Sequence, residues 1–465
     1  MKRFERKRNT AVWMATMLAT IFVASTSSSL LAPPAAATGT TWAKVFGGYA
    51  GATGIEVLPT ADGGYAVLGE INTPPGGFDV WLLKLDATGA IEWQYLYGGT
   101  GRERPYHVRQ TSDGGYVVVA ATNSFGPAGG MNAWVLKLDA AGGIQWQTAY
   151  GGAGSDIASG FQLTSDGGYI LVGYSNSHNP GKEYWYSIDA WIIKLDSTGN
   201  VEWQKAFGRN MTSKGWHECF NSVQQTSDGG YIVAGSGTLW QSGGFVPSTW
   251  LVKFNGVGTL VWQKFYGVGS GGQLCGGWNY MANNPDVVIT ADGGYFVDPV
   301  YFYGPEAVDG YAMKVDASGN VLWRKAYGTA AQEWFRSADA MPDGGFVLAG
   351  TGPNGAWVVR TDSAGNVLWQ KTYGGSGYAA HPTSDGGIVL TGARGGVAVI
   401  KLDGDGNPGV CTDPTIGASS SAVQRSSTAR PSKGTAGAAT PSTTVMDTAA
   451  TPLPSNAQES QLCSG

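Results

Sequence analysis

Thr111-Ser112-Asp113-Gly114-Gly115-Tyr116-Val117-Val118-Val119 decides the fold, because the chain repeats it. Asp-Gly-Gly followed by an aromatic or aliphatic residue occurs seven times, with its aspartate at Asp62, Asp113, Asp166, Asp228, Asp292, Asp343 and Asp385. Successive aspartates stand 42 to 64 residues apart. A period of that size means one supersecondary unit per repeat.

A second signature follows each copy. In the first repeat it is Asp-Val-Trp-Leu-Leu-Lys-Leu-Asp-Ala-Thr-Gly-Ala-Ile-Glu-Trp-Gln, Asp79 to Gln94. Both signatures place glycine turns between runs of β-branched and aromatic residues, the pattern of a hairpin. Two hairpins make a four-stranded antiparallel sheet of roughly 50 residues, the size of one propeller blade. The fold class is therefore all-β, a seven-bladed β-propeller, with strands A to D in each blade.

The tryptophans close the ring. Strand D carries Trp42, Trp93, Trp146, Trp203, Trp262, Trp323 and Trp369, and Trp42 precedes the first Asp-Gly-Gly. The last repeat ends at Val399-Ile400-Lys401-Leu402-Asp403 with no such tryptophan after it. The N-terminal segment 41–48 is thus expected to supply the outer strand of blade 7. Strand C carries Trp81, Trp134, Trp191, Trp250 and Trp357, with Tyr311 and Ala398 in blades 5 and 7. These side chains read as packing between blades.

Around this domain, 38–410, lie two segments of other character. Residues 1–37 read as a signal peptide: Lys2, Arg3, Arg6, Lys7 and Arg8, an apolar run from Ala11 to Ala24, then Ala35-Ala36-Ala37. The apolar run is too short for a comfortable span, so no transmembrane segment is expected in the mature chain. The protein is expected to be secreted or held at the cell surface. Residues 411–465 are rich in Ser, Thr, Ala and Pro, the composition of a disordered tail or stalk. A net charge of −5 and no basic stripe argue against nucleic acid as a partner. Four cysteines suit an oxidising compartment. Of three connectivities, Cys219–Cys275 with Cys411–Cys463 is preferred, and the spacing gives no metal signature.

In such a blade the A–B and C–D turns share one rim, and the D–A and B–C connections share the other. The first rim is monotonous. The second carries every long insertion: 174–189, 209–218, 238–248, 268–286 and 298–309. Loops on a rigid scaffold concentrate function. Trp185, Trp216, Trp240, Trp278 and Tyr301 fall there and suit a stacking platform for sugar or peptide, or else fold back over their own loops.

Aligning the repeats adds a polar set. Ten residues before the Asp-Gly-Gly aspartate stand Glu103, Asp156, Glu218 and Glu333, with Arg102, Arg336 and His217 close in sequence. If these carboxylates converge at the channel mouth, they suit a hard cation such as Ca²⁺, or acid–base chemistry. If not, each accepts hydrogen bonds from neighbouring loops. No cofactor is required by the sequence, and Ca²⁺ is the one that the carboxylates would suit. Asp403-Gly404-Asp405-Gly406-Asn407 imitates the start of a calcium loop but stands where every repeat has a turn. No nucleophile elbow or phosphate-binding glycine loop occurs.

The repeats Lys194 to Lys205 and Thr226 to Gly235 resemble uncharacterised secreted β-propeller proteins of bacteria and archaea, over roughly residues 40–410. The Leu-Asp-x-x-Gly-x-x-x-Trp element is similar to the tryptophan-docking motif of quinoprotein dehydrogenases and their non-enzymatic relatives. That family's enzymes imply eight blades, a calcium-bound quinone and often adjacent cysteines. Seven repeats and no adjacent cysteines depart from it. The expectation is a monomeric, exported, non-catalytic propeller that binds a ligand, or a surface glycan or protein, through its variable rim. A polysaccharide lyase or glycoside hydrolase using the rim carboxylates is the alternative, and a quinone-type redox propeller ranks below both.

Overall fold

The computed structural model describes residues 40–47, 51–73, 77–126, 130–177, 188–208, 218–241, 244–267, 286–298, 302–303, 308–328, 331–411 and seven short segments within 418–464. The signal-peptide segment expected at 1–37, like most of the rim insertions, lies outside them.

Seven four-stranded antiparallel blades form a ring, with no helix among the described residues. Blade 1 is representative: strand A is Thr53–Pro59, B is Tyr65–Thr73, C is Gly77–Leu85 and D is Ile91–Tyr97. In blade 7, strands Ser376–Pro382, Ile388–Ala393 and Val397–Leu402 are joined by Trp42–Gly47. The register sets Trp42 opposite Lys401 and Ala43 opposite Ile400, so the N-terminal strand closes the ring as the tryptophan count predicts.

Each signature residue has a mechanical task. The aspartate of Asp-Gly-Gly fastens its own hairpin. Asp113 Oδ1 accepts from the Gly115 N–H at 3.0 Å, and Lys137 Nζ on strand C reaches Oδ2 at 2.9 Å. All seven repeats carry this cation–aspartate pair, from Lys84–Asp62 at 2.8 Å round to Lys401–Asp385 at 2.9 Å, with Arg360–Asp343 as the arginine version.

Strand D fastens one blade to the next. Gly89 in the C–D turn of blade 1 has φ 76°, and a Cβ there would lie 2.9 Å from the Trp42 ring of blade 7. Glycine is needed both for the turn and for the close approach. The same contact recurs where Gly199 meets Trp146 and Gly406 meets Trp369. Four residues beyond the tryptophan, a tyrosine reaches the same turn: Tyr97 donates to the Gly142 carbonyl at 2.7 Å, and Tyr373 to Gly406 at 2.7 Å. Blade 3 has Phe207 there, and Lys205 Nζ supplies the bond to Gly258 at 2.7 Å. The strand C tryptophans Trp81, Trp134, Trp191, Trp250 and Trp357 are fully buried between blades.

The tail composition reads as a disordered tail or stalk. Its described parts nevertheless pair with strand D of every blade. Residues Ala418–Ser419 lie against blade 6, Arg425–Ser426 against blade 5 and Pro431–Ser432 against blade 4. Gly437–Ala439, Thr444–Asp447 and Leu453–Pro454 follow on blades 3, 2 and 1, and Gln458–Ser464 pairs with the closing strand of blade 7. Main-chain bonds to an open sheet edge need no apolar side chains, which is why composition misses them.

Candidate functional site

Strand A is the innermost strand and lines the axis. In six blades it carries a one-residue bulge at the same place, between Gly54 and Glu56, Pro105 and His107, Ala158 and Gly160, Phe220 and Ser222, Phe335 and Ser337, and Gly377 and Ala379. A bulge adds a residue and reverses which face its neighbours occupy.

That reversal relocates the polar site. Counting by twos from His107 puts Glu103 on the axial face, but the bulge turns it away. Glu103 is fully buried, accepting from Thr122 Oγ1 at 2.7 Å and from the Gly99 N–H at 3.2 Å. Asp156 does the same with Ser175, with Ser177 Oγ at 2.5 Å and with the Gly152 N–H at 2.8 Å. Glu218 and Glu333 are also buried. None of the four lines the axial cavity. In place of the expected convergence at the channel mouth, Glu103 and Asp156 hold the loop that leads into their own strand A.

Arg102 lies over the Phe78 ring, 4.6 Å from its centroid. Arg336 stacks 4.4 Å above Tyr378 and does line the cavity. Trp240 lies in a strand opposite Phe245. Trp185, Trp216, His217, Trp278, Tyr301 and Cys275 lie outside the described residues. Cys219 begins strand A of blade 4 and is buried, while Cys411 is the register partner of Cys463. Asp403 to Asn407 forms a turn, with the Gly406 N–H on the Asp403 carbonyl at 3.1 Å.

The axis holds a cavity of about 360 Å³. Its walls come chiefly from the residues four, six and seven before the Asp-Gly-Gly aspartates, with Asp286 from blade 5. Glu56, His107, Gly160, Ser222, Asp286, Ser337 and Ala379 all line it, as do Arg109, Asp339 and His381.

These side chains join the blades in a cycle of polar contacts. Glu56 accepts from Arg109 Nη1 at 2.6 Å and the Val108 N–H at 2.7 Å. His107 presents Nδ1 to Glu56 at 3.4 Å and donates from Nε2 to the Ser159 carbonyl at 2.8 Å. Ser159 Oγ continues to the Phe220 carbonyl at 3.0 Å, and Ser222 donates to Asp286. The Ala338 N–H reaches Asp286 at 3.4 Å, and the Ala380 N–H reaches Ser337 Oγ at 3.1 Å. His381 Nδ1 meets Asp339 at 2.8 Å, and its Nε2 faces Glu56 at 3.9 Å, which returns the cycle to blade 1.

Burial opposes charge on Glu56, but Arg109, then His107 and His381, outweigh it and hold the carboxyl well below the usual range. Burial likewise works against a charged His381, and the Asp339 hydrogen bond and charge overcome it, raising the imidazole above its ordinary value. Asp286 goes the other way. Its burial exceeds the help from Ser222 and two backbone N–H groups, and its carboxyl is raised. The cavity therefore combines the Glu56–Arg109 and Asp339–His381 pairs with Asp286, Arg336 and the aromatic walls Tyr106, Phe161 and Tyr378. Among the described residues no three His, Cys, Asp or Glu side chains are arranged to hold a metal ion. Nor is any helix among them long and apolar enough to cross a membrane.

No family model matches the chain, and no curated protein does. Solved structures match at low identity and low structural similarity. A protein of unknown function from Bacteroides caccae matches at 12% identity and TM-score 0.36, covering 71% of this chain and 93% of that one. Drosophila Plexin A, in complex with Semaphorin 1b, matches at 8% and 0.41, covering 78% and 86%. A puromycin hydrolase matches at 12% and 0.33, covering 77% and 59%. Likeness at this level carries no argument about this chain.

Proposed function

We propose that this chain is an exported, non-catalytic binding propeller, and that its ligand is an uncharged, hydroxyl-rich molecule such as the end of a surface glycan, held in the axial cavity. The observation that supports this reading most is the pairing of charges inside that cavity. Glu56 with Arg109, and Asp339 with His381, leave little net field for a charged ligand. They still offer donors and acceptors at their edges, which hydroxyl groups use well. Tyr106 and Tyr378 supply flat apolar faces for the C–H side of a sugar ring. Cys219–Cys275 and Cys411–Cys463 disulfides suit the exported setting.

The carboxylates first considered for catalysis give this reading indirect support. Glu103 and Asp156 already accept bonds from loop N–H and hydroxyl groups, so neither is poised as a general acid or base. The test is a glycan array followed by calorimetry on the full chain. Binding to a neutral glycan is expected, weakened at least about tenfold by Tyr378→Ala, which corresponds to about 1.4 kcal/mol. Sugar release, or binding left untouched by Tyr378→Ala and by Leu58→Trp, which would fill the cavity that Leu58 lines, would refute it.

A further inference from the structure

The axial site does not involve the C-terminal segment, whose path is the most unexpected feature of the molecule. Its described strands visit the blades in strict order, 6, 5, 4, 3, 2, 1 and then 7. No blade is skipped or visited twice. Their first residues, 418, 425, 431, 437, 444, 453 and 458, advance by 5 to 9 residues per blade. An extended chain of that length reaches roughly 17–32 Å. The circuit also ends where it began. Val410–Cys411, leaving blade 7, pairs with Gln458–Ser464, and Cys411 stands directly opposite Cys463.

We propose that the described strands between Cys411 and Cys463 form a girdle round the outside of the ring, closed by a Cys411–Cys463 disulfide. Directly opposed residues of antiparallel strands have Cα atoms about 4.5–5.5 Å apart, within the span that a disulfide bridges. The bond forms when two thiols give two protons and two electrons to a disulfide oxidant of the exporting compartment, which is reduced to its dithiol. The closed loop then encircles the propeller and cannot peel away without unpairing from several blades.

The residues suit an outermost strand. Each strand D would otherwise present unpaired N–H and C=O groups to solvent, an invitation to pair with another chain. Pro431 and Pro454 lie opposite Tyr266 and Tyr95. Proline has no N–H to give a further strand and is tolerated at a sheet edge. A girdle that carries proline thus fills the edge and ends it.

Peptide mapping of the untreated full chain tests the covalent closure, and trypsin digestion tests the path. Trypsin cuts after Arg425 and Lys433, and Arg425 is paired with Ala326 in blade 5. The expected result is one cross-linked peptide joining Cys411 and Cys463, with cleavage after Arg425 at least about tenfold slower in the oxidised chain than in Cys463→Ser. Hydrogen exchange on the wild-type chain gives a second reading that needs no variant: amides of 444–447 should exchange about tenfold or more slower than an unstructured peptide. Free thiols at both cysteines, equal cleavage in the two chains, or unprotected exchange at 444–447 each overturns the proposal.

Discussion

The Asp-Gly-Gly rim and the axial face of strand A belong to the same repeats, only a few residues apart, yet they differ in kind. On the rim, all seven blades carry the same aspartate and six carry lysine opposite it, with Arg360 the exception. On the axis, six residues earlier, the blades carry Glu56, His107, Gly160, Ser222, Asp286, Ser337 and Ala379, with only serine used twice. A position that must do the same job in every blade keeps its residue. A position that faces a shared cavity is free to differ, because its neighbours across the axis complete it. Repetition here marks architecture, and departure from repetition marks the site.

The comparison can be broken most decisively at the architectural positions. Trp134→Ala removes a fully buried side chain between blades and should cost about 3–5 kcal/mol, read from denaturant unfolding. A loss below about 1 kcal/mol would mean that the repeated tryptophans are not what holds the blades together. On the axis, Arg109→Met leaves Glu56 buried beside a hydrocarbon. Arg109 is about a quarter exposed, so the cost should fall below the 3–5 kcal/mol of a fully buried pair, at about 1–3 kcal/mol. It should exceed the effect of Asp113→Asn on the rim, where half-exposed pairs contribute at most about 1 kcal/mol.

The smallest effect sharpens the contrast by its sign. Rim aspartates such as Asp113 are lowered from 3.8 to about 2, chiefly by the Thr111 hydroxyl and then Lys137. Their stabilisation is present above the unfolded value and lost as pH falls from about 4 towards about 2. His381 is raised above 6.5, so its contribution is complete below 6.5 and lost as pH rises through the folded value. Unfolding free energy measured against pH should fall at both ends, and His381→Gln should flatten only the alkaline side. An unchanged alkaline slope in that variant would separate His381 from its assigned pairing with Asp339.

Most of the architecture could be read from residues alone, since Asp62 to Asp385 and Trp42 to Trp369 recur in sequence as they recur in space. The axial cavity could not. Its residues share no chemical type, and the search for a repeated carboxylate selected Glu103 and Asp156, which the bulge turns away from the axis. Aligning the repeats and asking which strand A column varies most in charge would have selected Glu56, His107 and Asp286. The girdle escaped for another reason: its strands hold on by main-chain bonds, which leave little imprint on side-chain composition.

The closing strand of blade 7 carries a consequence for the order of assembly. Trp42–Gly47 belongs to the first repeat synthesised in time and the last in space. It must stay unoccupied until Val397–Leu402 arrives, so a nascent chain holds an open arc of blades through nearly all of its synthesis. Trimming the amino end past Trp42 would therefore leave six finished sheets and no way to shut the circle.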